Sequence, residues 1–149
     1  MRIVGCLLIT TMLIATMGLS LADSEGVQVK IIDVHCTTQG VDERLDPNSE
    51  WVELRNNGTA LVDLTDWIIT DEVGYKRGDW RGHRYHFPEF TLRPGASVRV
   101  YTGVGDDTST ELYWGRSPGR SAPIWNNDGD TAYLIDIDGE VVDVYTYPR

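Results

Sequence analysis

The sequence predicts an all-β protein. Short runs of apolar, aromatic and β-branched residues recur along the chain, and such runs are typical of strands. Turn-forming residues rich in Gly, Asp, Asn and Pro separate these runs. After residue 22, no stretch has the apolar spacing that an amphipathic helix requires. Together the three observations favour a fold built from strands and loops.

The same patterns place the strands in order. Residues 27–35 alternate and then lose phase at Ile31-Ile32, which predicts a first strand with a bulge. Polar or turn-forming composition predicts surface loops at residues 39–49, 74–84 and 103–119. Further strands are predicted at residues 50–54, 67–69, 97–101, 131–137 and 140–145.

Asp138-Gly139 separates the last two predicted strands. Asp-Gly is a strong hairpin signal, because a type I′ turn needs positive φ at both central positions. We therefore expect these two strands to form a hairpin that closes with such a turn.

Residues 1–22 have the features of a signal peptide. Arg2 is followed by a mostly apolar run over residues 3–17, and Ser20 and Ala22 are the small residues that signal peptidase prefers. We expect cleavage before Asp23, export from the cytoplasm, and one domain over residues 23–149. The alternative is an uncleaved anchor, because residues 3–21 would span about 28 Å as a helix, close to a bilayer core.

The chain is acidic, with a formal charge of -10 at pH 7. Removal of the leader also removes Arg2 and makes the charge -11. On average such a surface repels polyanions, which weighs against binding to duplex DNA. Contact with a membrane is expected only through an uncleaved leader.

Cys36 is the only cysteine after the leader. The exported chain therefore has no internal disulfide and depends on its core for stability. We expect Cys36 to be a buried thiol near the end of the first strand. An intermolecular disulfide and a metal site shared with His35 are the alternatives.

Three motifs carry a resemblance to a known family. The first half contains Glu50-Trp51-Val52-Glu53-Leu54-Arg55-Asn56 and then Asp63-Leu64-Thr65-Asp66-Trp67, and the second half contains Asn126-Asn127-Asp128-Gly129-Asp130 before the last hairpin. Over about residues 27–147 the chain resembles the lamin tail domain. The resemblance implies an immunoglobulin-like β-sandwich and a non-catalytic module of exported microbial proteins, often found beside hydrolases.

The chain departs from the family pattern in two ways. Asp66 stands where the family usually has Gly before the tryptophan, and the coiled-coil rod of eukaryotic lamins is absent from the sequence. Filament formation is therefore not expected. Trp67 is expected in the core. Glu53 and Asn56 both lie in the matched motif. We expect the Glu53 carboxylate to satisfy backbone N–H groups of a neighbouring loop, with partner binding as the alternative.

The best candidate binding site is a basic segment of this acidic chain. Residues 75–86 contain four cations and one acid, with Tyr75 and Tyr85 among them. Cationic groups beside flat rings suit an anionic glycan, a phosphate-bearing polymer or an acidic protein face. The predicted ligand contacts are Arg77, Trp80, Arg81 and Arg84. In the alternative, Trp80 and Tyr85 pack onto the sandwich and the arginines pair with carboxylates.

Metal and catalytic chemistry have less support. Asn126, Asp128 and Asp130 alternate as calcium ligands can, but the twelve-residue loop that ends in a bidentate Glu is missing. No cofactor is expected. A His-Glu-x-x-His motif and a phosphate-binding glycine loop are both absent from the sequence.

We therefore expect a binding or interaction module at the cell surface. Its partner would be a protein or an anionic polysaccharide of the cell envelope. The alternative is an accessory domain of an extracellular hydrolase, or a weak hydrolase of the nuclease or phosphoesterase type. The sequence makes no prediction of oligomeric state.

Overall fold

The computed structural model describes residues 28–36, 46–79, 81, 83–116 and 124–148. Within these ranges the strands are β1 (Val29–His35), β2 (Trp51–Asn56), β3 (Val62–Asp63), β4 (Ile68–Thr70), β5 (Arg84–His86), β6 (Thr91–Leu92), β7 (Ser97–Tyr101), β8 (Glu111–Tyr113), β9 (Asp130–Ile135) and β10 (Val141–Tyr147). One α-helix, α1 (Glu72–Arg77), and one 3-10 helix (Pro47–Ser49) complete the described elements. The predicted signal peptide lies outside the described residues.

Two four-stranded sheets form the body of the molecule. Their strand orders are β1-β2-β7-β8 and β10-β9-β4-β5, and β3 pairs with β6 in a small third sheet. All pairs are antiparallel except β7 with β8. The prediction of an all-β, immunoglobulin-like β-sandwich is confirmed. The expectation of no helix is wrong at residues 72–77, and residues 74–84 are therefore not one continuous loop.

The core lies between the inner faces of the two large sheets. Alternation along β2 and β7 sends Val52, Leu54 and Val100 inward, where each is 0% exposed. Trp67 is 6% exposed, so its predicted place in the core is confirmed. Burial of a large apolar side chain contributes about 1.5–3 kcal/mol, and this core therefore holds the two sheets together.

The edge strands of the two sheets, β1 and β10, contact each other where each has a register shift. The register of β1 shifts between Ile31 and Asp33, which confirms the predicted bulge, and the register of β10 shifts between Val141 and Asp143. The Asp143 carboxylate accepts a hydrogen bond from the Ile31 backbone N–H at 2.8 Å and pairs with Lys30 at 3.0 Å. A side chain of one sheet thus satisfies a backbone donor at the edge of the other.

Asn56 is buried at the end of β2 and organises the loop that follows. Its amide nitrogen donates to the carbonyls of Ala60 at 2.8 Å and Leu92 at 3.0 Å, and its oxygen accepts from the Gly58 N–H at 2.9 Å. Asn56 thus has the role toward loop backbone groups that the sequence predicts for Glu53. With 0% exposure, Asn56 belongs to the scaffold and has no access to a partner.

The hairpin of β9 and β10 is confirmed, but its turn is not type I′. Gly139 has φ 84, whereas the described non-glycine residues with positive φ are Asp66 and Arg81 alone. The Gly139 N–H donates to the Asp136 carbonyl, and the Asp136 carboxylate accepts from the backbone N–H groups of Asp138 and Glu140. The bond from Gly139 to Asp136 makes Ile137 and Asp138 the central residues of the turn, and Gly139 follows them with positive φ, as in a three-residue hairpin loop.

Candidate functional site

One end of the sandwich gathers the residues that sequence reasoning singled out. β1, β4, β7, β8 and β10 end there, and β2, β5 and β9 begin there. Helix α1 follows β4 at this end. We call this region the α1 end; the opposite end carries the loop after Asn56. Antiparallel pairing thus brings chain segments that are far apart in sequence to one place.

Local signals explain the short helix. Asp71 is the N-cap residue, and its carboxylate accepts a hydrogen bond from the Gly74 N–H at 2.7 Å. Gly78 ends the helix with φ 71, a conformation that glycine adopts without steric cost. Glu72 pairs with Lys76 one turn later at 2.7 Å. These features stabilise six helical residues that show no apolar period.

Asp71 also connects the helix to β5. Its second carboxylate oxygen lies 2.7 Å from Nδ1 of His83, and the two side chains are 1% and 13% exposed. The Thr70 hydroxyl donates to the His83 carbonyl at 2.8 Å. Gly74 packs so closely against Thr70 and His83 that a β-carbon at this position would collide with both. The start of β5 is therefore held firmly against α1.

A second buried carboxylate lies at the same end. Glu50 is 0% exposed, and its Oε2 accepts from the Ile124 N–H at 3.2 Å. Burial lowers the pKa of the Arg116 guanidinium, while the negative charges of Glu50 and Asp71 act in the opposite direction. Arg116 also donates to the Arg81 carbonyl at 3.1 Å. The hydrogen bond from this partly buried guanidinium thus supports the segment that carries Arg81.

The structure places three of the four predicted contact residues at the α1 end. Arg77 is exposed at the end of the helix, and Arg81 is exposed with φ 56. Arg84 is half-buried in β5, where its Nε donates to the Gly74 carbonyl at 3.1 Å. Trp80 lies outside the described residues. Arg77 and Arg81 are therefore exposed, whereas Arg84 anchors the helix.

The tyrosines of this segment have structural contacts. Tyr75 stacks on Tyr133 of β9, with centroids 4.1 Å apart and planes 5° apart. Tyr85 is 6% exposed, and its ring packs against Phe87 and Trp114. Burial raises the pKa of the Tyr85 hydroxyl. For Tyr85, packing onto the sandwich is the alternative that the structure favours.

A stack of flat groups crosses the outer face of the first sheet at the same end. Register aligns His35, Trp51, Tyr101 and Tyr113 across β1, β2, β7 and β8. His35 stacks on Trp51 with centroids 5.2 Å apart, and the Arg99 guanidinium lies 4.2 Å from the Trp51 ring centroid. Tyr101 stacks on Tyr113 at 5.4 Å. Sequence reasoning missed this row, because register across four strands cannot be inferred from one strand.

Glu53 belongs to this outer face. Its carboxylate accepts from Nε of Arg99 at 2.7 Å, and this hydrogen bond raises the pKa of Arg99. The prediction that Glu53 satisfies backbone N–H groups of a loop is wrong, because cross-strand register places a cation beside it. Together Glu53 and Trp51 hold Arg99 flat on the sheet.

The calcium alternative falls in the turn before β9. The Asp130 carboxylate accepts from the Asn126 backbone N–H at 3.2 Å and from its side-chain amide at 2.8 Å. Burial raises the pKa of Asp130. Asp128 is exposed in the same turn. Across the described ranges, no three His, Cys, Asp or Glu side chains are grouped so that they could hold a metal ion.

Cys36 follows β1 directly. It is half-buried, contacts the core cluster and lies close to Tyr147 of β10. Its predicted place at the end of the first strand is confirmed, although its burial is partial. The contact with Tyr147 ties the ends of β1 and β10 together.

Sequence reasoning also missed one short catalytic motif. Residues 115–119 read Gly-Arg-Ser-Pro-Gly, which matches the pattern Gly-x-Ser-x-Gly. Ser117 lies outside the described residues. In enzymes this motif occupies a turn from a strand into a helix, whereas the next described element after β8 is strand β9. The motif therefore matches in sequence only, because the described part of the chain shows no helix after β8.

The comparison with known families agrees with this architecture. A family model described as the Lamin Tail Domain matches residues 22–149. The chain belongs to the lamin tail domain family, a family of immunoglobulin-like folds. In the part that the structure describes, no helix has the length and apolar character needed to cross a membrane.

Proposed function

We propose that this chain is an exported, non-catalytic binding module of the lamin tail type that acts at the cell surface, where it binds an anionic polysaccharide of the envelope. The observation that carries the proposal is the pair of exposed arginines, Arg77 and Arg81, at the α1 end. The last turn of α1 and the Arg116 contact with the Arg81 carbonyl fix the backbone that presents them.

Guanidinium groups suit this ligand. Arg presents N–H donors in a planar fork that binds both oxygens of a carboxylate or sulfate ester. Arg84 contributes differently, because its Nε already bonds the Gly74 carbonyl. We assign Arg84 the role of holding α1 against β5. The ligand contacts would then come from Arg77 and Arg81, with Trp80 beside them in sequence.

The charge of -10, or -11 once Arg2 is removed with the leader, repels polyanions on average, but it opposes a polysaccharide less than it opposes duplex DNA. Duplex DNA carries one negative charge per about 1.7 Å, so repulsion from the acidic surface would be strong along its whole length. A uronic polysaccharide carries at most about one charge per sugar and exposes hydroxyl groups between charges. At 0.1 M salt, charges more than about 10 Å apart are largely screened. The interaction at the binding site therefore depends mainly on the nearby arginines.

Export is supported by two observations. Residues 1–22 have the pattern of a signal peptide. The family match begins at residue 22, next to the expected cleavage site before Asp23. A domain that starts where a leader ends is the arrangement expected of a secreted module.

Charge reversal tests the binding site. The full chain is passed over immobilised alginate, a uronic polysaccharide, with a neutral glucan as the reference. We expect retention on alginate at low salt, and loss of retention in Arg77→Glu/Arg81→Glu. The matched control is Arg55→Glu/Arg93→Glu, which changes the net charge equally through two exposed arginines away from the α1 end.

Two outcomes would contradict the proposed site. Equal retention of the Arg77/Arg81 variant and the wild type would remove these residues from the interface. Equal loss in both charge-reversal variants would reduce the effect to net charge. Retention on polyglutamate but not on alginate would assign the surface to an acidic protein instead.

A hydrolase is the second candidate, and one observation favours it. Asp71 and His83 form a 2.7 Å pair at the α1 end, and Ser117 directly follows Arg116 of the same network. Against it, Asp71 also caps α1, and its side chain is only 1% exposed, with that of His83 at 13%. A homogeneous preparation is assayed on ester and phosphodiester substrates. Turnover that disappears in Ser117→Ala would establish the hydrolase and refute the non-catalytic module.

A further inference from the structure

Two consecutive asparagines at the end of β2 have opposite environments. Asn56 is 0% exposed and uses its amide in three hydrogen bonds. Asn57 is exposed. Its backbone N–H donates to the Gln28 carbonyl at 2.9 Å, which fixes its place in the loop. The loop therefore presents one asparagine amide to solvent.

The exposed asparagine begins an acceptor triplet. Asn57-Gly58-Thr59 has the form Asn-x-Thr with a residue other than proline in the middle. The other asparagines of the chain, at positions 48, 56, 126 and 127, are not followed two residues later by Ser or Thr. Thr59 is exposed as well. The triplet thus combines the required residues with surface access.

The position of the loop suits a bulky modification. β2 begins with Trp51 at the α1 end and finishes with Asn56 at the opposite end, so Asn57 lies at the far end from Arg77 and Arg81. A glycan there would lie at the end opposite to the α1 end and leave the proposed ligand surface accessible.

The same loop opposes a competing reaction. Asn-Gly sequences lose ammonia when the following backbone nitrogen attacks the asparagine side-chain carbon. The Gly58 N–H instead donates to the Asn56 carboxamide oxygen at 2.9 Å. Because this bond engages the Gly58 nitrogen, its attack on the Asn57 side-chain carbon is disfavoured. The Asn57 amide therefore remains available for enzymatic transfer.

We propose that Asn57 is the acceptor of an N-linked glycan, added as the chain is exported; this inference rests on the export part of the proposed function. The donor is a glycan linked to a lipid through pyrophosphate. A membrane oligosaccharyltransferase forms the bond from the Asn57 Nδ2 to the anomeric carbon. The bond from that carbon to the pyrophosphate oxygen breaks, lipid pyrophosphate leaves, and the amide loses one proton.

Mass spectrometry of the peptide that contains Asn57 tests this inference. The full chain is produced in its native host. In parallel, the chain with residues 1–22 replaced by a leader of proven export is produced in a secretory host that glycosylates proteins. The matched variants are Asn57→Gln and Thr59→Ala, which break the triplet, and Thr59→Ser, which keeps it.

We expect a glycan mass on Asn57 in the exported wild type and in Thr59→Ser, and its loss in the two breaking variants. An exported chain with an unmodified Asn57 peptide, or with only the 1 Da gain of deamidation, would overturn the acceptor site. If the natural leader fails to export the chain, the export proposal fails. The arm with the proven leader still decides whether Asn57 is modified.

Discussion

At the scale of one residue, Asp66 occupies a position where the family usually has glycine, and it adopts a backbone conformation that favours glycine. It has φ 63, a conformation in which a residue with a β-carbon is strained by about 1 kcal/mol or more. The Asp66 N–H donates to the Phe87 carbonyl and the Trp67 N–H to the Leu64 carbonyl, and these bonds fix the turn. The glycine usual in the family would fit this turn without strain.

We therefore expect Asp66→Gly to raise the free energy of unfolding by about 0.5–1 kcal/mol, because relief of strain exceeds the added entropy of the unfolded chain. Urea unfolding measures the change. Asp66→Ala is the matched control, since alanine keeps the β-carbon and should not stabilise the protein. Equal stability of the glycine and alanine variants would show that the turn stores no backbone strain.

The single residues also show what sequence alone could predict. Trp67 was assigned to the core from an apolar run and a family motif, and both signals are local. The roles of Glu53 and Asp71 could not be inferred, because their partners Arg99 and His83 are brought to them by strand register and by the cap of a short helix. Asn56 and Asn57 have the same side chain, and only the fold distinguishes the buried one from the exposed one.

At the scale of elements, the outer face of the first sheet offers a measurable interaction. Arg99 lies over Trp51 and pairs with Glu53 at 2.7 Å, but its side chain remains 44% exposed. Exposed ion pairs contribute little, and solvent screening reduces them further. We expect a double-mutant cycle of Glu53→Gln and Arg99→Met to give a coupling energy of about 0.5–1 kcal/mol at low salt.

That coupling energy should fall as salt is added, because the Arg99 side chain is largely accessible to solvent and its charge is screened by ions. Thr91→Val paired with Arg99→Met is a suitable control, since Thr91 lies in the separate small sheet. A Glu53–Arg99 coupling above about 2 kcal/mol that is insensitive to salt would contradict the account of a solvated pair.

Elements with strong local patterns were predicted correctly, and those that depend on distant partners were not. The bulge in β1 follows from broken alternation, and the last hairpin follows from Asp138-Gly139. Helix α1 has six residues, too few for a period, and its formation depends on the Asp71 cap and on Gly78. The parallel pairing of β7 with β8 joins strands across a loop and carries no sequence signal.

At the scale of the whole molecule, the sandwich separates the two proposed sites. Its α1 end collects the helix, Arg116 and the two exposed arginines, while the Asn57 loop occupies the opposite end. The basic segment was found from composition. Sequence could not divide its cations by role, because the bond from Arg84 to the Gly74 carbonyl exists only in the folded chain.

The salt dependence of binding tests the central claim most directly, that Arg77 and Arg81 contact an anionic ligand. The dissociation constant for alginate is measured calorimetrically over a range of salt concentrations. Each lost ionic contact should reduce the slope of log affinity against log salt by up to about 1. We expect a reduction of about 1–2 in Arg77→Ala/Arg81→Ala and none in Arg55→Ala/Arg93→Ala. An unchanged slope in the first variant would contradict the account.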